Sequence, residues 1–175
     1  MVERKIGDKK LQLVRGDITE MEVGAFVFDI TENVKLGSGY GAAIQQRGGI
    51  VIQKQLDEIG NCPTGEAVVT EAGVLKADWI IHANGPKFRE EDEEGKLRRT
   101  VRSALARAEE KGVKTLAFPP IGTGLYQVPM DLCARVMVET ISEHLANGAS
   151  LDEVFIVAPD PREFGPFAAQ FEKGV

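Results

Sequence analysis

The chain has 175 residues, close to a single domain at roughly 150 residues per domain, so two full-sized cores are excluded. Apolar residues make up 43% and charged residues 27%, which argues against collagen-like, disordered and membrane-embedded classes. Lys plus Arg number 21 against 27 for Asp plus Glu, a net charge of −6; nucleic-acid binding relies on clustered cations, so that balance weighs against a phosphate backbone as the main partner.

The first ten residues are charged and lack an apolar h-region, so no secretory signal is expected. No apolar run approaches the ~20 residues of a membrane span, and a cytoplasmic location with no membrane partner is expected. Short runs rich in Val, Ile and Phe at 11–14, 25–28, 67–70, 79–81, 115–118 and 154–157 read as buried strands. Leu97, Val101, Ala104, Leu105 and Ala108 form a helical stripe before Gly112. Pro129 stands at a plausible first helical position before a second stripe of Ala134, Met137, Val138, Ile141 and Leu145, which ends near Asn147 and Gly148. Alternating buried strands and amphipathic helices predict an α/β fold with helices on both faces of a sheet. The charged stretch 89–99 reads as a surface loop and a solvated helix start.

Cys62 and Cys133 are far apart and lack metal-ligand spacing. Cys133 is expected to be a small buried residue and Cys62 a loop residue, in keeping with a reducing compartment. Neither a metal nor another cofactor is expected.

Three loops follow strand patterns and lead toward helices, the usual place for ligands in open α/β sheets. They are 16–19 (GDIT), 36–44 (LGSGYGAAI) and 119–126 (PIGTGLY after Pro119). The glycines would let the backbone approach an anion, and successive N–H groups beside a helix start can bind one. Two such loops facing one crevice suit a diphosphate, although neither matches a known phosphate fingerprint. A plain tight turn is the alternative for each loop taken alone.

These loops, together with Thr64-Gly65-Glu66-Ala67 before a strand and Ile81-His82-Ala83-Asn84-Gly85-Pro86, resemble the macro domain family, ADP-ribose-binding and Appr-1''-p processing-like. The resemblance runs over residues 10–160. It implies one macro domain over 1–175, a three-layer α/β/α fold with a mixed, mostly parallel central sheet, and a cleft for ADP-ribose or a related adenine nucleotide. Asp17, beside Ile18, would accept a hydrogen bond from the adenine amine; an ionised carboxylate is acceptor-only and disfavours a guanine carbonyl. Its alternative role is to cap the turn through Ile18 and Thr19. Gly37, Ser38, Gly39 and Tyr40 would line one face of the diphosphate, and Gly122, Thr123, Gly124, Leu125 and Tyr126 would close over it. Tyr126 would pack on the distal ribose or else cover the core. His82 is read as a structural histidine and Asn84 as a turn residue.

Relatives that hydrolyse ADP-ribose esters carry N-A-A-N before the Gly-rich loop. Here the aligned residues are Phe28, Asp29, Ile30 and Thr31, and Gly41 stands where one hydrolase branch has an acid. Thr31 keeps a ribose-side position without an amide. Val157-Ala158-Pro159 offers no aromatic for stacking on adenine, which leaves Phe164 or Phe167 to swing in or simply to pack. Asp29 is the one candidate for lost catalytic chemistry, by orienting a water or the ribose hydroxyls, and turn capping is its alternative. The resemblance therefore points to a binder with weak or no turnover. A hydrolase acting on ADP-ribosylated protein or O-acetyl-ADP-ribose is the second reading.

Overall fold

The computed structural model describes residues 2–37, 40–124 and 126–173, the side chain of Tyr40 excepted. Seven strands form one sheet: β1 Val2–Ile6, β2 Lys9–Val14, β3 Ala25–Asp29, β4 Ala67–Glu71, β5 Trp79–Ala83, β6 Thr115–Phe118 and β7 Glu153–Val157. Among the described residues there are five α-helices: α1 Tyr40–Gly48, α2 Val51–Ile59, α3 Glu93–Lys111, α4 Met130–Ala146 and α5 Pro161–Glu172. The strand order is β1-β2-β7-β6-β3-β5-β4. The pairs from β2 through β5 are parallel, and the two edge pairs β1–β2 and β4–β5 are antiparallel. The mixed, mostly parallel α/β/α sandwich expected from the sequence is therefore the observed fold.

Strand alternation sends successive side chains to opposite faces, and each face has its own core. Leu11, Leu13, Val27, Ile81, Phe118 and Ile156 pack against the apolar stripes of α3, α4 and α5. Phe26, Ile80 and Ala117 pack on the other face with Ile44 of α1 and with Ile52 and Leu56 of α2. Three helices thus cover one face and two the other. Gly112, at φ +67°, ends α3 in the left-handed conformation that glycine adopts without steric cost. Asp160 caps α5, accepting from the backbone N–H groups of Arg162 at 2.9 Å and Glu163 at 3.1 Å.

Several elements differ from the sequence expectation. β1 is an edge strand that alternates partly buried and exposed residues, so it carries no apolar run. The segment 40–44, read as part of a loop, is the first turn of α1. Pro129 is the residue preceding α4 and has ψ 134°, so it caps the helix from outside and is not its first helical residue. Cys62 lies in a loop as expected but is completely buried in the core shared with α1 and α2, its Sγ 3.3 Å from the Glu66 carbonyl. Cys133 is buried, as expected.

Truncating a fully buried core aromatic loses its transfer energy and leaves a void. Phe118 is 0% exposed, so Phe118→Ala should lower stability by ~3–5 kcal/mol in urea unfolding; a loss under ~1 kcal/mol would contradict this packing.

Candidate functional site

The chain diverges at the centre of the sheet. β3 and β6 are neighbours, yet β3 leads to α1 on one face and β6 leads to α4 on the other. Adjacent strands whose continuations leave in opposite directions open a crevice at their C-terminal ends. Pairing between them extends only over Ala25–Leu116 and Phe26–Ala117, and Phe28 and Asp29 run on past the end of β6 at Phe118. A cavity of about 380 Å³ opens there, within the usual size range of small-molecule sites.

The loops after four of the five mutually parallel strands, β2, β7, β3 and β6, line it. Gly16 and Ile18 come from the loop after β2, and Val157 and Pro159 from the end of β7 and the loop after it. Phe28 and Asp29 of β3 continue into Ile30, Thr31, Lys35, Leu36, Gly37 and, on α1, Gly41. Pro119, Pro120, Thr123 and Gly124 follow β6, and Glu163 of α5 completes the wall.

The expected residues divide into three groups. Ile18, Asp29, Thr31, Gly37, Thr123 and Gly124 are brought together on the wall. Ser38, Gly39 and Leu125 lie outside the described residues, as does the side chain of Tyr40. Asp17, Gly122 and Tyr126 are not among the lining residues. Tyr126 instead packs beside the core, and its hydroxyl donates to Asn84 Oδ1 at 3.1 Å. Covering the core, its alternative role, is the placement observed. Phe167 is buried and Phe164 packs partly buried against the same core, so their placement is packing.

Asp17 stands between two lining residues. Its Oδ1 accepts from the Thr19 N–H at 2.9 Å and the Thr19 hydroxyl at 2.7 Å, and its Oδ2 pairs with Arg47 at 3.1 Å. Burial pushes its carboxyl up, but the Thr19 donors and Arg47 outweigh this and hold it below the usual carboxylate range. The turn-capping role is therefore real, and a charged acceptor remains at the edge of the cavity, its side chain 38% exposed.

Asp29 ends β3 inside the cavity wall. Its Oδ2 accepts from the Gly122 N–H at 3.0 Å, while its Oδ1 is buried without a partner among the described residues. Desolvation raises the carboxyl to about 7 against the partial opposition of that N–H. Gly122, at φ +76°, adopts a conformation that L side chains rarely adopt, and a Cβ there would come within 2.9 Å of Val128. The loop after β6 is thus bent back onto the end of β3, and the Gly122 N–H expected to face a diphosphate is already engaged.

His82, by contrast, lies on β5 outside the lining residues. It is fully buried, its Nε2 is 2.9 Å from Thr70 Oγ1, and desolvation lowers it to about 3, so it stays neutral as a structural histidine. Asn84 is buried as well, its side-chain amide donating to the Cys62 carbonyl at 2.8 Å.

Little positive charge faces the cavity. Lys35 is its one lining cation among the described residues, and its Nζ is paired with Asp57 at 2.6 Å. Backbone N–H groups are the remaining donors, including those of the first turn of α1, which lack intrahelical partners and sit at the positive end of the helix dipole. Lys35 and Glu163 were missed from the sequence. Neither belongs to a glycine-rich segment, and α5 itself is obscured by Pro161, Gly165 and Pro166.

A macro domain-containing protein of Streptomyces coelicolor is 38% identical over 167 residues, covering 91% of this chain and 97% of its own. A Pantoea vagans protein named O-acetyl-ADP-ribose deacetylase 1 is 33% identical over 162 residues, covering 89% of this chain and 95% of its own. The structure of the Oceanobacillus iheyensis macrodomain with ADP superposes with a TM-score of 0.93 at 26% identity, covering 98% of this chain and 95% of that one. A mutant of that macrodomain, described as with ADPR, gives a TM-score of 0.92 at 26% identity, over 98% and 97% of the two chains. Residues 30–137 match the Macro domain family itself, and the chain belongs to that family.

Proposed function

We propose that residues 1–175 act as one macro domain that binds ADP-ribose or a related adenine nucleotide in this cavity, with weak or no turnover. The observation that carries this reading is the meeting of two glycine-containing loops, from β3 and β6, at a single crevice bounded by the start of α1. Backbone donors there suit a diphosphate without an excess of cations. The neighbouring structures hold ADP or ADPR on the same fold, which supports a nucleotide ligand. Ser38, Gly39, Tyr40 and Leu125 complete the two loops in sequence, Thr31 stands at the ribose side, and Asp17 offers its acceptor to the base amine. An ADP-ribosylated protein presents the same group and is the macromolecular partner this reading admits.

Calorimetry with ADP-ribose tests the proposal. Saturable binding is expected, and its absence at millimolar ligand overturns it. Asp17→Ala should weaken binding by ~1.5–3 kcal/mol, the range for a hydrogen bond to a charged group. A Cβ at Gly37 would meet no atom of the described residues within 4 Å, its chain neighbours aside. Gly37→Val should therefore leave Tm unchanged while reducing ADP-ribose affinity by about tenfold or more, ~1.4 kcal/mol. Undiminished affinity would remove the first glycine loop from the site.

One observation favours a second, hydrolytic reading. Asp29 lines the cavity, its Oδ1 has no partner among the described residues, and a carboxyl poised near 7 suits proton transfer at neutral pH. In ester hydrolysis Asp29 would take a proton from water as its oxygen attacks the acyl carbon, and the ribose oxygen would leave with that proton. On this reading Asp29→Asn abolishes release of acetate from O-acetyl-ADP-ribose and of ADP-ribose from modified protein, with ADP-ribose binding retained. Wild-type protein without turnover in both assays leaves binding alone.

Asp29 also gives a pH signature to stability. Its folded value of about 7 exceeds the ordinary 3.8, so its contribution is full below 3.8 and is lost as pH rises to about 7. His82 falls from 6.5 to about 3, so its contribution is full above 6.5 and is lost as pH falls toward 3. From about pH 5 to 6.5 the two slopes oppose, each near ~1.4 kcal/mol per pH unit. Denaturant unfolding should therefore show a nearly level wild type across that window, whereas Asp29→Asn loses about 1 kcal/mol per unit of falling pH. Equal slopes in both proteins would contradict the burial of Asp29.

A further inference from the structure

A second acid lines the cavity from the last helix. Glu163 is the third residue of α5, three positions after its cap Asp160. In a capping box the acid at this position turns back to the N–H of the capping residue. Asp160 fulfils its half, accepting from the Arg162 and Glu163 N–H groups. Glu163 does not reciprocate: its Oε2 is buried without a partner among the described residues, and the residue lines the cavity. Arg162 gives it no direct partner, since that side chain is 91% exposed and pairs with Asp160 at 3.4 Å. Burial, with the Asp160 charge, pushes the Glu163 carboxyl above its ordinary value while Arg162 opposes this.

Its neighbours on the wall fix the end of the cleft it serves. Val157 and Pro159 follow β7, and Gly16 and Ile18, which flank Asp17, follow β2. Asp29 lies across β6, two strand positions from β7, or roughly 10 Å at the usual strand spacing. Glu163 therefore stands at the nucleoside end of the ligand, away from the catalytic candidate. A carboxylate repels a diphosphate and can only accept. With the base amine assigned to Asp17, the donors left at this end are the hydroxyls of the ribose next to the base.

We propose that Glu163 is a specificity-determining residue whose carboxylate accepts a hydrogen bond from those ribose hydroxyls, so that the cleft favours ribonucleotides over their deoxy counterparts. This rests on the nucleotide-binding reading above. Glu163 adds to it the sugar chemistry that the cleft selects.

The test is a cycle of two ligands and three proteins by calorimetry: ADP and 2′,3′-dideoxy-ADP with the wild type, Glu163→Gln and Glu163→Leu. The wild type should prefer ADP by about tenfold or more, as expected for a charged acceptor. Glu163→Gln should narrow that preference several-fold and Glu163→Leu should erase it. Both variants should melt no lower than the wild type, since each removes an unpaired buried charge. A wild type blind to the hydroxyls, or a preference that survives in Glu163→Leu, overturns the inference while leaving nucleotide binding intact. If neither ADP nor ADP-ribose binds the wild type, the parent reading falls and the inference falls with it. Should the leucine variant fail to fold, the glutamine variant decides: an undiminished preference refutes the role.

Discussion

The molecule is organised around the parting of two neighbouring strands. β3 and β6 share only their first residues in register, and their continuations go to opposite faces. Had both chains left on one face, a helix pair would close over the strand ends. Because they part, backbone that would otherwise pair is left to line a cavity. The hydrogen bond from the Gly122 N–H to Asp29 limits this opening, since it ties the β6 loop to the end of β3 across the divide. Arg47 performs the matching task on the other side, holding α1 to the Asp17 turn through contacts of 3.1 Å to Asp17 and 2.9 Å to Thr19.

The electrostatics of the cleft follow from this architecture. An anion site built from clustered cations would need Lys and Arg on the wall, and the one lining cation described is neutralised by Asp57. Donors carried by the backbone do not alter net charge, so a chain at −6 can still hold a phosphate. The same wall carries two carboxylates, Asp29 and Glu163, each with a buried oxygen that has no partner among the described residues. Unpaired buried acids oppose folding. They differ in this from Asp17 and Asp160, which both accept backbone N–H groups of the turns they cap.

The strand runs at 11–14, 25–28 and 154–157 and the stripe beginning at Leu97 were legible because buried parallel strands and long amphipathic helices write their periodicity directly into composition. β1 escaped because an edge strand alternates, and α5 because Pro161, Gly165 and Pro166 read locally as breakers. The proline after Asp160 is compatible with the first turn, where an N–H has no helical partner. Among candidate site residues, the glycine loops were visible as motifs. Tyr126 was drawn to the ligand by its neighbours in sequence, whereas Asn84, distant in the chain, offers its hydroxyl a partner at the core.

By its own pattern of residues the chain determined its layers, its family and the two loops that could cradle a phosphate, since each is a local property of periodicity or of glycine placement. The tertiary structure alone decided that Asp29 turns into the cavity, that the Gly122 N–H is spent on it, and that Glu163 reaches the same cavity from the last helix. These depend on which strand ends lie side by side. Sheet order places β7 and β3 on either side of β6 although they lie far apart in the chain, and the burial that shifts a carboxyl's proton affinity is a property of the assembled walls, with no counterpart in residue order.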